Sequence, residues 1–281
     1  MLTIQLRYPN EMFSGSEEAR RHVEEKRVDY ESFGEVHCPP EVPKGYPQEY
    51  PVMDVINNWP PDVVMRPEKI YRGLCYFNWE TDQQIAVKYQ EAEVPFVVRG
   101  HPDVEATAFR WKDTNYVDQF LQSKKYMTEY SENNHFMYWR GGKKSKEFKG
   151  WNPPTTMKSM KFNEWMDHAK AKGRPAEKID RNEEHWYFRV SACSKKDKCP
   201  EPNTPELFDE MPWFDVKERT LLMVQPDQQR GIHCRFGMAG VIAENHFDGS
   251  RNTIALMSGE RRYILSSQKN CKVSGKNQGP P

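Results

Sequence analysis

Residues 231–265 read Gly231-Ile-His-Cys-Arg-Phe-Gly-Met-Ala-Gly-Val-Ile-Ala-Glu-Asn-His246-Phe-Asp248-Gly-Ser-Arg-Asn252-Thr-Ile-Ala-Leu-Met-Ser-Gly259-Glu-Arg261-Arg-Tyr-Ile-Leu265. Three β-type runs, 234–243, 252–257 and 262–265, are separated by Asp248-Gly249 and Ser258-Gly259, dipeptides that turn the chain. In an extended chain residues i and i+2 share a face, so His246 and Asp248 project together while Phe247 points away. An imidazole nitrogen and a carboxylate oxygen side by side can take two neighbouring positions around one metal ion. These are two arms of the facial triad that holds non-heme iron(II) and leaves positions open. His-x-Asp alone recurs by chance, and a His beside an acidic turn is ordinarily a surface pair. Its context gives it weight: the pair ends a β-run at a Gly turn, and the following runs present Asn252 and then Arg261-Arg262.

Upstream the pattern is mixed. Thr81 with Gln84 predicts a capped helix reaching about Glu91, Val94-Pro95-Phe96-Val97-Val98 a short buried strand, and Arg99-Gly100 a turn. A helix is expected over 115–122, strands over 135–139 and 185–190, and a helix over 162–169 with Phe162, Trp165, Met166 and Ala169 on one face. A further β-run is expected at 221–224. Helices followed by short antiparallel strands predict an α+β layout around a barrel or jelly roll. Residues 1–70 read as an acidic, proline-rich N-terminal extension, with a helix from Ser14 toward Tyr30 followed by extended chain. Residues 71–271 read as the domain and 272–281 as a polar tail.

The chain has 281 residues, with 41 basic and 41 acidic side chains, so global charge steers it toward no polyanion and disfavours nucleic acid as a partner. Residues 140–174 carry ten basic and three acidic groups, which reads as a solvated lysine-rich loop whose aromatics (Phe148, Trp151, Phe162, Trp165) suit core packing rather than base stacking. Eight Trp, 13 Tyr and 14 Phe offset a modest aliphatic content. No apolar run approaches the ~20 residues of a membrane helix. The first residues do not read as a signal peptide, so cytoplasm or nucleus is the expected location. Six cysteines without a Cys-x-x-Cys are expected to be ordinary thiols rather than a disulfide scaffold or a zinc site.

With those residues in view, the segment around His246 and Asp248 resembles the metal-binding strands of the JmjC, or cupin-like, branch of iron(II)- and 2-oxoglutarate-dependent oxygenases, closest in style to the asparaginyl hydroxylases. Glu93-Val-Pro-Phe-Val-Val-Arg-Gly100 looks like that family's entry strand, and Arg110-Trp111 with the helix from Tyr116 to Leu121 continues the likeness, which covers residues 82–271. The resemblance implies a cupin, or double-stranded β-helix, fold with Fe(II) held by His246 and Asp248. It also implies 2-oxoglutarate as cosubstrate, with Asn252 near it and Arg261 gripping its distal carboxylate. A guanidinium suits that task through two parallel charge-assisted bonds. Arg262 competes for the role, since strand alternation sends the two arginines to opposite faces. At Ala243 the asparaginyl hydroxylases carry a threonine that touches the cosubstrate, so that contact is in doubt.

Such enzymes complete the triad with a second His on a later strand, and none of the 33 residues after Asp248 is a His. The expectation is therefore a domain truncated at its C-terminus. His22, His37, His101, His135, His168, His185 and His233 could replace the missing ligand only through an unusual topology. Three functions stay open: a protein hydroxylase or demethylase, a catalytically inactive truncated cupin-like binding module, and a cupin of other chemistry. Substrate, whether protein or small molecule, and oligomeric state are not readable.

Overall fold

A computed structural model describes residues 38–63, 65–68, 70–137, 155–171, 182–193, 199, 202–243, 246 and 251–266. The elements run α1 (Val52–Asn58), β1 (Cys75–Asn78), α2 (Gln83–Glu91), β2 (Phe96–Arg99), α3 (Pro102–Trp111), α4 (Thr114–Phe120), β3 (Tyr126–Ser131), β4 (His135–Phe136), β5 (Thr156–Met160), α5 (Phe162–Ala171), β6 (His185–Cys193), α6 (Leu207–Glu210), two 3₁₀ turns (Pro212–Phe214 and Pro226–Gln228), β7 (Gly231–Gly237) and β8 (Ile242–Ala243). The fold is α+β.

Its centre is an antiparallel sheet in the order β5-β3-β6-β7, and β1-β2 and β4-β8 form two small parallel ladders besides. Register assigns the faces. On one side Tyr126, Trp186, Phe188, Val190, Ile232, Cys234 and Phe236 meet α3, α4 and α5 through Trp111, Val117, Leu121, Phe162 and Trp165. Phe236 sits among the rings of Trp111, Phe162, Trp165 and Phe188, with centroids 5.2 to 6.0 Å away. This aromatic core supplies the apolar burial that the modest aliphatic content leaves wanting. A second cluster, Cys75, Phe77, Ala86, Tyr89 and Val94, joins α2 to the β1-β2 ladder and takes Cys38, Val42 and Tyr46 from the preceding coil.

Glu210 fastens the helical layer. Its carboxylate accepts from Trp111 Nε1 at 2.8 Å, Tyr116 OH at 2.6 Å and Arg110 Nη2 at 3.3 Å, while its carbonyl accepts from Thr107 Oγ1 at 3.0 Å. The Arg110-Trp111 pair and Tyr116, noted as a pattern in sequence, thus converge on one side chain about a hundred residues away.

Several expectations are corrected. The 221–224 run is irregular chain. The 234–243 run starts earlier and breaks into β7 and β8 at Gly240, whose φ of +84° a side chain would resist. Residues 252–257 and 262–265 form no strand and pair with none among the described residues. Their alternation survives: Ala255 and Met257 face the core while Ile254 and Leu256 are exposed. The helix expected from a Thr81 cap begins at Gln83 with Asp82 as N-cap, because Thr81 spends its hydroxyl on Asp82 Oδ1. Of the 135–139 strand, His135–Phe136 is observed and 138–139 lie outside the described residues, while the 185–190 strand extends to Cys193. β1, β3, β5, α3 and α6 have no counterpart among the elements expected from sequence, and α1 interrupts the proline-rich stretch expected to be extended. Four of the six cysteines are not thiols but the bridges Cys38–Cys75 and Cys193–Cys199. The helix expected at 14–30, the tail from 272 and most of the lysine-rich 140–174 stretch lie outside the described residues.

Candidate functional site

The second face of the central sheet is polar and enclosed. Strand alternation and register place Glu129 and Ser131 of β3, His185, Tyr187, Arg189 and Ser191 of β6, and His233 and Arg235 of β7 on it. Glu129, Ser131, Tyr187, Ser191 and Arg235 are all buried. The β4-β8 ladder lies against this face, with Phe136 edge-on to Tyr187 at 5.7 Å, and Asn134 fixes the ladder by donating from Nδ2 to Gly240 O at 3.1 Å. Buried polar surface between two β layers is costly to build unless its groups find partners.

Glu129 Oε1 accepts from Arg189 Nη1 and lies 3.6 Å from Arg235 Nη1. The Arg235 guanidinium stands over the Tyr187 ring at 5.7 Å. Among the described residues, Nε and Nη1 of Arg235 have no hydrogen-bond acceptor. Arg261 arrives from the 251–266 segment and donates from Nη1 to the Tyr187 hydroxyl at 3.4 Å. Burial raises the pKa of that hydroxyl, with Arg261 pulling the other way, so it stays protonated at neutral pH. Among the described residues, the guanidinium groups of Arg189, Arg235 and Arg261 against the Glu129 carboxylate leave the face with a positive surplus. Such a face favours an anion that can take several directed donors.

At the far end of this face Ser191 Oγ and His233 Nδ1 are 2.9 Å apart. Burial lowers the His233 pKa, with Arg189 adding to it, so the imidazole is neutral near pH 7. Neutral imidazole is the form that can serve as a ligand or accept a proton.

The sequence-predicted site residues separate as follows. Arg261 reaches the polar face and also lies over the Tyr263 ring at 4.9 Å. Its neighbour Arg262 turns the other way, over the Trp59 ring at 4.5 Å, donating to Pro60 O at 3.5 Å. His246 and Asn252 are exposed, and Asp248 lies outside the described residues. No group of three or more His, Cys, Asp or Glu side chains is gathered for a metal ion among the described residues. Of the other histidines, His135 pairs with Asp62 at 2.9 Å, His101 lies tilted against Trp79 at 4.0 Å, His168 stacks on Trp186 at 4.8 Å, and His22 and His37 lie outside the described residues.

Sequence reasoning missed Tyr187, Arg235 and Glu129. The signal lay in His185-Trp-Tyr-Phe-Arg-Val190 and Gly231-Ile-His-Cys-Arg-Phe236, where basic residues alternate with core residues inside strands too apolar to be surface strands. Among the described residues no helix is long and apolar enough to cross a membrane. No protein-family model matches the chain, and no curated protein matches it in sequence.

Proposed function

We propose that the chain is a JmjC/cupin-like, iron(II)- and 2-oxoglutarate-dependent oxygenase of the protein hydroxylase or demethylase class, with its enclosed polar sheet face as the cosubstrate pocket. The α+β core would then be part of a jelly roll. The observation that carries this reading is the position of Arg261. Of two adjacent arginines, the one that the family resemblance assigns to the distal carboxylate is the one that meets a buried tyrosine hydroxyl on a positively biased face.

The residues fit the cosubstrate. Arg261 and the Tyr187 hydroxyl supply donors for one carboxylate, and the Arg235 nitrogens that lack acceptors among the described residues supply a buried demand for another anion oxygen. For iron the fit is partial: His246 and Asp248 would hold it, with an imidazole and a carboxylate of the required chemistry and a third donor still needed. When bound, the metal would supply the oxygen chemistry, coupling decarboxylation of 2-oxoglutarate to succinate with oxidation of a C–H bond. The chain's own work is different. Arg261 and Tyr187 would fix the dicarboxylate's far end, Phe136 and the β4-β8 ladder would exclude water, and Glu129 would keep the Arg189 and Arg235 charges from expelling each other.

Calorimetric titration with manganese(II), then 2-oxoglutarate, tests this. Saturable but weak metal binding that disappears in His246→Ala is expected, together with 2-oxoglutarate binding that needs the metal. Succinate production with iron(II) and oxygen separates an oxygenase from an inactive binding module keeping the same pocket. Absence of any 2-oxoglutarate heat in the metal-loaded chain would contradict both.

A further inference from the structure

Disulfide pairing is the feature that neither the fold nor the proposed chemistry explains. Cys38 and Cys75 lie 37 residues apart in sequence with Cα atoms at 5.6 Å, and Cys193 and Cys199 six apart at 5.4 Å. Both separations fall inside the range that a disulfide spans without backbone movement. Described neighbours hold the cysteines of both bridges. Cys75 opens β1 and is fully buried, and the Tyr89 hydroxyl donates to Pro39 O at 3.0 Å, which holds the coil beside Cys38 in place. Cys193 ends β6, and its amide donates to Asn203 Oδ1 at 3.1 Å, an oxygen that also lies 3.2 Å from Cys199 Sγ. A third contact, Thr204 N to Ser191 O at 2.9 Å, fastens the return of that loop to the strand.

The remaining described cysteine makes the contrast. Cys234 points into the aromatic core from β7, is wholly buried, and burial raises its thiol pKa well above the ordinary value. A thiol there is neither ionised nor reachable. So every described cysteine outside the main core is paired, and the one within it is free. Chains kept in reducing compartments seldom carry two such structural bridges.

We infer that this chain folds in an oxidising compartment, where Cys38–Cys75 and Cys193–Cys199 form by exchange with an oxidised thiol–disulfide carrier, and that the first bridge clamps the proline-rich N-terminal segment onto the domain. Each bridge forms when one cysteine thiolate attacks the mixed disulfide between its partner and the carrier. Two electrons and two protons leave the pair of thiols, and the carrier's disulfide ends as a dithiol. The clamp matters because residues 52–63 carry Trp59, Pro60 and Asp62, which hold Arg262 and His135. This inference departs from the cytoplasmic or nuclear location expected from the sequence, and it stands whether or not the oxygenase reading does.

The experiment has two arms. In the first, cells that naturally make the protein are treated with a membrane-permeant maleimide before lysis, and the chain is digested with trypsin without reduction. Lys44 and Arg72 separate Cys38 from Cys75, and Lys195, Lys196 and Lys198 separate Cys193 from Cys199, so each bridge appears as a linked peptide pair. Both linked pairs are expected, and maleimide on all four cysteines would overturn the inference. In the second arm, the purified full chain is exposed to limited trypsin before and after reduction. Cleavage at Lys44 should accelerate at least tenfold on reduction, and Cys75→Ser should cleave at the fast rate without reductant. Equal rates in all three would overturn the clamp, and the wild-type peptide map decides the bridges even where the variant does not fold.

Discussion

Replacing Glu129 by Gln tests whether the polar sheet face is truly enclosed. The carboxylate is 1% exposed and serves two guanidinium groups, accepting from Arg189 and lying 3.6 Å from Arg235. At 3.6 Å and an effective dielectric near 20, the attraction to Arg235 alone is ~5 kcal/mol before desolvation is charged against it. Removing one partner of such a buried set leaves the others uncompensated, which costs about 3–5 kcal/mol. With a urea m-value of about 3 kcal/mol/M for a chain of this size, the unfolding midpoint should fall by about 1–1.7 M. The triple replacement Glu129→Leu with Arg189→Met and Arg235→Met should recover most of that loss, because exchange of a whole buried ionic set for apolar groups is nearly neutral. The reasoning fails if Glu129→Gln costs under ~1 kcal/mol, the range of a solvent-screened pair. Such a result would mean that water reaches this face and that it is no enclosed pocket.

Four further outcomes are expected. Phe236→Ala, emptying the centre of four packed rings, should destabilise the chain by about 3–5 kcal/mol in the same denaturation assay, and a loss near 1 would show that the core collapses to fill the space. Burial, seconded by Arg189, holds His233 below its ordinary pKa, so the unfolded chain takes up a proton from about pH 6.5 downward before the folded one does. Stability should therefore fall as pH drops from ~6.5 toward the lower folded value, by at most ~1.4 kcal/mol per unit, and His233→Gln should flatten the slope; identical slopes would refute the assignment. His246, being exposed, should tolerate Ala within about 0.5 kcal/mol while metal binding is lost, and a large stability loss would give it a structural role instead. Ile254 and Leu256 are exposed on a stretch that pairs with no strand among the described residues, so Ile254→Lys with Leu256→Glu should lower self-association in sedimentation velocity, and no change would mean that this side is already covered.

The parts of the fold legible in sequence are those where one residue type does one job. The 162–169 helix shows its apolar stripe because Phe162, Trp165, Met166 and Ala169 meet only the core. β6 was legible through its aromatic density. β3 was not, because Thr128, Glu129 and Ser131 look like surface residues and are buried all the same: Glu129 has charged partners on other strands, and Ser131 donates to His135 O. α3 had a start signal in Pro102 at its first position, with Asp103 and Glu105 in the first turn. The exposed ladder of β5 carries no hydrophobic alternation at all. Sequence also left Arg261 and Arg262 equivalent, since alternation fixes only that they diverge. What separates them is Trp59, two hundred residues earlier, which takes Arg262 out of contention. The cysteine pairs follow no spacing motif, and only the fold brings Cys38 to Cys75.

The most direct measurement compares 2-oxoglutarate affinity, in the presence of manganese(II), across wild type, Arg261→Ala, Arg262→Ala and Tyr187→Phe. Truncating a buried charge-assisted pair costs 2 kcal/mol or more, so Arg261→Ala should weaken binding by at least ~30-fold. Tyr187→Phe should weaken it by less, as one neutral hydrogen bond is worth about 1 kcal/mol. Arg262→Ala should leave affinity within about threefold of wild type, because its side chain belongs to Trp59 and Pro60. Loss of affinity in Arg262→Ala with Arg261→Ala unaffected would contradict the account.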